Sequence, residues 1–148
     1  MQKKVIPNDL LLGEVGKLIS EGEKVTIMTK GCSMLPFIIG ERDSVLLEKP
    51  EELCPGMIAL AQVHKGIYVL HRIIEIENER VTLMGDGNLK GCEQCRRSDI
   101  VAVATRIIKP GKEIDCFSRR HLRQARVWKS LLPVRRWLLA VYRRLPHV

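Results

Sequence analysis

No uninterrupted apolar run in these 148 residues approaches the ~18 or more that a membrane-crossing helix needs. A secretory leader is not read at the start either. The opening MQKKVIPNDLLLGEVGKLISEGE has Lys3 and Lys4, but Gly13, Glu14, Gly16 and Lys17 break up its apolar residues. An even cysteine count is also missing. The five cysteines (Cys32, Cys54, Cys92, Cys95 and Cys116) point to free thiols in a reducing compartment rather than to a disulfide framework. The expected location is therefore cytoplasmic, with a peripheral place at the inner membrane surface as the variant. A second CxxC is lacking as well. Cys92-Glu-Gln-Cys95 falls short of the four ligands of a structural zinc site, and Cys116 and His121 could join it only by folding back. No metal and no cofactor is expected. Internal repeats and low-complexity linkers are absent, which leaves one domain's worth of chain with a tail.

What is present is an ordinary globular balance, 45% hydrophobic and 28% charged, at a length that can bury a real core. The net charge of +8 is unevenly placed. Residues 1–108 hold 14 basic and 15 acidic side chains, whereas residues 109–148 hold 11 and 2. The near-neutral first part gives no reason to expect a nucleic-acid-binding core, and nucleic acid is not an expected partner.

The periodicity divides the chain. Asn8 can cap a helix over 8–21 with Leu10, Leu11, Leu12, Val15, Leu18 and Ile19 at three- and four-residue steps, and Gly22 can stop it. From Lys24 to about Cys116 the pattern is β. VTIM (25–28), DSVLLE (43–48), MIALAQV (57–63), IYVLHRIIEI (67–76), RVTLM (80–84) and IVAVATRII (100–108) alternate with Gly, Pro and charged turns. His64-Lys65-Gly66 and Glu77-Asn78-Glu79 read as hairpin turns, with His64 solvated. The expected fold is mainly β, a barrel or sandwich with a short N-terminal helix and a C-terminal helical tail.

The tail, 118–148, is basic and amphipathic. Ser118 can cap a helix carrying Leu122, Ala125, Trp128 and Leu131 on one face. Beyond Pro133, a second face carries Val134, Trp137, Leu138, Val141 and Leu145, with Arg135, Arg136, Arg143 and Arg144 opposite. Three readings stand for it. The apolar residues pack on the β core while the arginines face water; or the helix lies on an anionic membrane; or it contacts phosphates of a nucleic acid, which its regularly spaced apolar surface disfavours.

Three polar elements could carry chemistry. Ser33 lies in Gly31-Cys32-Ser33-Met34-Leu35-Pro36, a tight turn after a β run. Cys32, its neighbour on an extended segment, is expected to point the other way and pack inward. His71 sits within a β run on the face of Val69 and Ile73, so it is partly buried and needs a partner. Asp86 lies in the turn Met84-Gly85-Asp86-Gly87-Asn88. Taken singly, these read as a turn serine, a core histidine and an Asx-type turn. Together they supply a nucleophile, a base and a group to orient the base.

At these residues the sequence resembles the serine-peptidase clan of the LexA-type self-cleaving proteins and the signal peptidases. GCSMLP resembles its G-x-S-M and S-M-x-P nucleophile box. GERDSVLL (40–47) resembles the G-D-x-V strand with Asp43 standing late, and LCPGMIAL (53–60) the L-x-x-G-D-I-V segment with Met57 where Asp is usual. VLHRII (69–74) resembles the H-R-V-I box of the archaeal and endoplasmic-reticulum signal peptidases, and GDGN (85–88) their G-D-N-N box. DIVAVAT (99–105) resembles the closing D-I-V-G-x-A strand. The match spans about Val25 to Ile108.

The resemblance implies a peptidase-like β domain over 1–117 and hydrolysis of a peptide bond in a peptide or protein substrate. Ser33 would be the nucleophile, His71 the base and Asp86 the orienter, with backbone N–H groups near Ser33 stabilising the oxyanion. An imidazole base works near neutral pH, whereas the Lys base of the LexA type must be desolvated. Gly31 stands where some bacterial signal peptidases carry a hydroxyl oxyanion donor. Met34 and Pro36 would shape the turn and the substrate groove. Glu93 is a stand-in for the third member, in the place of the acidic residues that follow G-D-N-N in the reticulum type. Absent an anchor and a DNA-binding domain, the expectation is a stand-alone bacterial member. The alternative is a catalytically silent peptide-binding or adaptor module of the same fold, docked to a membrane or partner by its tail.

Overall fold

The computed structural model describes the backbone of residues 5–6 and residues 12–146. Asn8, Leu10 and Leu11, expected to start the first helix, lie outside the described residues. The helix described, α1 (Leu12–Ser20), buries Val15 and Ile19. It ends in a paired C-cap: Glu23 N–H donates to the Leu18 carbonyl and Gly22 N–H to that of Ile19, with Gly22 at a φ of 92°.

Among the described residues nine strands follow one mostly antiparallel ladder. They are β1 (Val5–Ile6), β2 (Val25–Met28), β3 (Ser44–Glu48), β4 (Ile58–His64), β5 (Ile67–Glu77), β6 (Arg80–Met84), β7 (Glu93–Arg96), β8 (Ile100–Lys109) and β9 (Lys112–Asp115). The order is β1-β2-β3-β8-β4-β5-β6-β7, and β9 pairs with β8. Among the described residues only β1 with β2 is parallel. Among the described residues β1 and β7 end the path without meeting, so the ladder is open and the closed-barrel form of the expectation does not hold.

The long apolar runs have a simple cause: the central strands are buried on both faces. On β4 and β8, Ile58, Leu60, Ala102 and Ala104 join one core cluster with α1, β2 and β3. The alternate residues Ala59, Ala61 and Val103 join a second cluster with Ile73, Val81 and Leu83. Three strands lie outside the β runs of the sequence. Val5–Ile6, Glu93–Arg96 and Lys112–Asp115 are short and carry no strong alternation, and pairing with β2, β6 and β8 makes them strands.

The tail folds onto the domain. Ser118 caps α2 (Arg119–Ser130) by accepting from the His121 N–H at 3.2 Å. A 3-10 turn over Leu132–Val134 carries Pro133, and α3 (Arg135–Arg144) follows. Of the expected first face, Ala125 is buried, and His121 is buried beside it. The expected second face points outward: Val134, Trp137, Leu138, Val141 and Leu145 are all exposed. Leu139 and Arg135 are the buried residues of α3. Arg135, expected in water, is thus a correction. Its guanidinium lies 5.2 Å from the Trp128 ring centre and donates to the carbonyls of Asn88 (2.9 Å) and Trp128 (3.3 Å). No helix among the described residues is long and apolar enough to cross a membrane.

Candidate active site

The turn after β2 brings Ser33 to the side of β5. Leu35 N–H closes it on the Cys32 carbonyl at 3.2 Å, and Met34 is buried beneath it. Met34 anchors the turn in the first core cluster, which frees Ser33 to face a cleft of about 340 Å³. The cleft is lined on the strand side by Tyr68, Val69, Leu70 and His71, and Gly31 also reaches it. Cys32 is exposed, which corrects the inward orientation expected for it: the segment is a tight turn, so strand alternation does not apply. Pro36 lies on the far side of the turn, where its carbonyl faces the Tyr142 hydroxyl at 3.4 Å. His64 is exposed in its hairpin.

His71 is 8% exposed and bridges two side chains. Its Nε2 lies 3.1 Å from Ser33 Oγ, and its Nδ1 lies 2.5 Å from Glu93 Oε1. A carboxylate on Nδ1 fixes the proton there and leaves Nε2 as the acceptor for the serine hydroxyl. Glu93 reaches this position because β7 pairs with β6 in a register that sets Glu93 opposite Leu83.

Asp86 does not meet His71. Its carboxylate is taken by Arg72, the next residue of β5: Arg72 Nη2 donates to Oδ2 at 2.7 Å, and Nε to Oδ1 and Oδ2 at 2.9 and 3.1 Å. Successive residues of a strand point to opposite faces, so His71 and Arg72 look away from each other. The carboxylate that meets His71 is therefore that of Glu93, and not that of Asp86. Asp86 instead holds its loop in place. Gly87 N–H donates to the Ser33 carbonyl at 2.7 Å, and Asp86 N–H points at Met34 Sδ at 3.5 Å. A Cβ on Gly85 would stand 2.3 Å from the Ser33 carbonyl oxygen, and one on Gly87 the same distance from that of Cys32. Both positions require glycine, because the backbone of the loop lies directly on the backbone of the serine turn.

The support continues into the tail, which sequence reasoning did not connect to the site. Trp128 Nε1 donates to the Asp86 carbonyl at 2.7 Å, and Arg135 to that of Asn88. Arg72 Nη1 donates to the Gly56 carbonyl at 2.8 Å and to His121 Nε2 at 3.2 Å. Burial, with the charge of Arg72, pushes the His121 pKa down to about 4, so this imidazole is neutral and accepts through Nε2. The only signal available for these contacts was the clustering of Trp and Arg in the tail.

The loop leaving the serine turn is fixed by Asp43, which is fully buried. Burial favours its neutral form, but hydrogen bonds from Arg42, Lys109 and the Ile39 N–H outweigh that and hold its pKa below the usual value. Among the described residues no group of three or more His, Cys, Asp or Glu is placed to hold a metal ion. Cys92 is exposed and Cys95 buried on β7, and burial pushes the Cys95 thiol up to about 11.

No family model matches the chain, and no curated protein matches it in sequence.

Proposed function

We propose that the protein is a serine endopeptidase of the LexA and signal-peptidase type, with Ser33 as nucleophile, His71 as base and Glu93 as the residue that orients the base. The observation that carries this reading is the relay from Ser33 Oγ to His71 to Glu93, at 3.1 and 2.5 Å, on the edge of a cleft. It is supported by the ordered boxes around Ser33, His71 and Asp86, whose glycines and arginine have structural tasks at the same place.

In this reading Ser33 Oγ attacks the carbonyl carbon of the scissile peptide while its proton passes to His71 Nε2. The oxyanion is met by backbone N–H groups of the serine turn. His71 then gives the proton to the departing amine. A water, deprotonated by His71, releases the acyl group and restores Ser33. Glu93 keeps the imidazole in the tautomer that can accept and stabilises its charged form. Substrate binding by strand addition fits β5. Its ladder with β6 begins at Arg72, so among the described residues Ile67–Leu70 pair on one side only, with β4, and lead directly to His71.

The same reading places the protein at an anionic membrane surface. Trp137, Leu138 and Val141 on α3 and Leu145 just beyond it are exposed, and Arg136 stacks 4.7 Å from the Trp137 ring centre, an arrangement suited to a lipid headgroup region.

The test is hydrolysis of a mixed peptide library followed by mass spectrometry, with the wild type beside Ser33→Ala and His71→Ala. Cleavage by the wild type that falls by about 10² or more in both variants is the expected result. Cleavage that survives Ser33→Ala removes Ser33 from the mechanism. Peptide retention without any cleavage by the wild type identifies the silent binding module instead.

A further inference from the structure

A second cleft, of about 330 Å³, lies on the other side of Arg72, between β5–β6 and the tail. Its size is at the low end of small-ligand sites, roughly 300–1,000 Å³. The walls are apolar, with Ile73, Ile74, Met84, Leu122, Ala125 and Leu132. The charged groups at its surface are unbalanced: Arg72, Arg126, Lys129 and Arg135 face a single carboxylate, Asp86, which Arg72 already engages.

Arg135 sharpens this. It is 3% exposed, and its Nε has no hydrogen-bond partner among the described residues. Among the described residues its two other nitrogens hydrogen-bond only to neutral carbonyls, those of Asn88 and Trp128, and its face lies against the uncharged Trp128 ring. A buried guanidinium without a carboxylate of its own is costly unless a counter-charge is supplied. Burial accordingly disfavours its charged form, with Asp86 only partly compensating. At the rim, Arg126 and Lys129 are exposed. Lys129 donates to the Ile74 carbonyl at 3.1 Å, and neither side chain pairs with a carboxylate among the described residues. Leu132 both lines the cleft and is exposed, so the apolar wall continues to the surface.

We propose that this cleft binds an amphiphilic anion: a carboxylate or phosphate head between Arg126, Lys129 and Arg135, with an alkyl chain against Ile74, Leu122 and Leu132. A small inorganic anion would leave the apolar walls unfilled, and a neutral alkyl ligand would leave the cations unanswered. The head and chain together satisfy both, and such a molecule comes either free or as a membrane lipid.

The test uses the full chain and decanoate, followed by amide chemical shifts, with decanol and inorganic phosphate as controls. Saturable shifts confined to Ile73, Ile74, Leu122 and Ala125 with decanoate, and binding about tenfold weaker or more for each control, are expected. Arg126→Gln with Lys129→Gln removes two exposed charges without touching the core and should weaken decanoate by about tenfold or more. Competition by phosphatidylglycerol vesicles, absent with phosphatidylcholine vesicles, identifies a membrane lipid as the source; failure to compete identifies a free amphiphile. Decanoate that does not bind, binds elsewhere, or binds the double variant as well as the wild type overturns the proposal.

Discussion

Arg72 holds Asp86 through three contacts of 2.7–3.1 Å, one residue along β5 from the histidine that meets Ser33. One strand thus delivers His71 to one side and, to the other, the clamp that presses the Gly85–Asn88 loop onto the serine turn. Both groups of the pair are buried, Arg72 at 4% and Asp86 at 4% exposure. Removing one partner strands the other charge. Asp86→Leu and Arg72→Met are each expected to cost about 3–5 kcal/mol, and the double variant less than their sum. Urea denaturation of the four proteins measures this directly.

Glu93 and Asp86 are separable by what they touch. Glu93→Gln keeps a hydrogen-bonding group on His71 Nδ1 but removes the charge that favours a proton there. On any peptide that the wild type cleaves, kcat is expected to fall by about 10²–10⁴ with the denaturation midpoint little changed. Asp86→Asn is expected to move the midpoint first. If Asp86→Asn at full folding depressed kcat while Glu93→Gln did not, Asp86 and not Glu93 would be the orienting residue.

The sequence carried the β class, the capping of α2 by Ser118 and the turns and strand that hold Ser33, His71 and Asp86, because periodicity and turn chemistry are local. It did not carry the choice between Asp86 and Glu93. That choice depends on β7, whose residues Glu93-Gln94-Cys95-Arg96 have no strand pattern and become a strand by pairing with β6. Nor could composition tell a detached basic tail from a packed one. Arg135 reads as a solvated cation by type, and its burial depends on the carbonyls of Asn88 and Trp128 and on the Trp128 ring, which no local pattern shows.

His121 gives the fold an acid limit. Its ordinary pKa of 6.5 is lowered to about 4, because burial and then Arg72 oppose its charge. Between those values the unfolded chain binds a proton that the folded one refuses, so stability falls as the pH falls from 6.5 towards 4, by at most about 1.4 kcal/mol per unit. Asp43, with its lowered pKa, adds a second loss further into acid as its carboxylate protonates. Thermal melts across this range should show the decline, and His121→Phe, which lacks a titrating group, should flatten its upper part. A His121→Phe profile parallel to the wild type would assign the decline elsewhere.

The α3 stripe separates a membrane role from a packing role, provided that the tail is not simply removed. Deleting residues 118–148 would take away Trp128, Arg135 and His121, which hold the Asp86 loop and Arg72, so loss of binding would follow from loss of structure. Trp137, at 58% exposure, and Val141, at 60%, point away from the domain. Trp137→Ser with Val141→Ser is therefore expected to leave the melting temperature within about 2 °C, because surface changes cost little. Burying the two side chains in a bilayer would contribute roughly 1.5–3 kcal/mol each. Their joint loss should thus lower association with phosphatidylglycerol vesicles by about 10² or more. Co-sedimentation at fixed salt measures this, and unchanged association of the double variant would leave the arginines binding alone and remove the stripe from the contact.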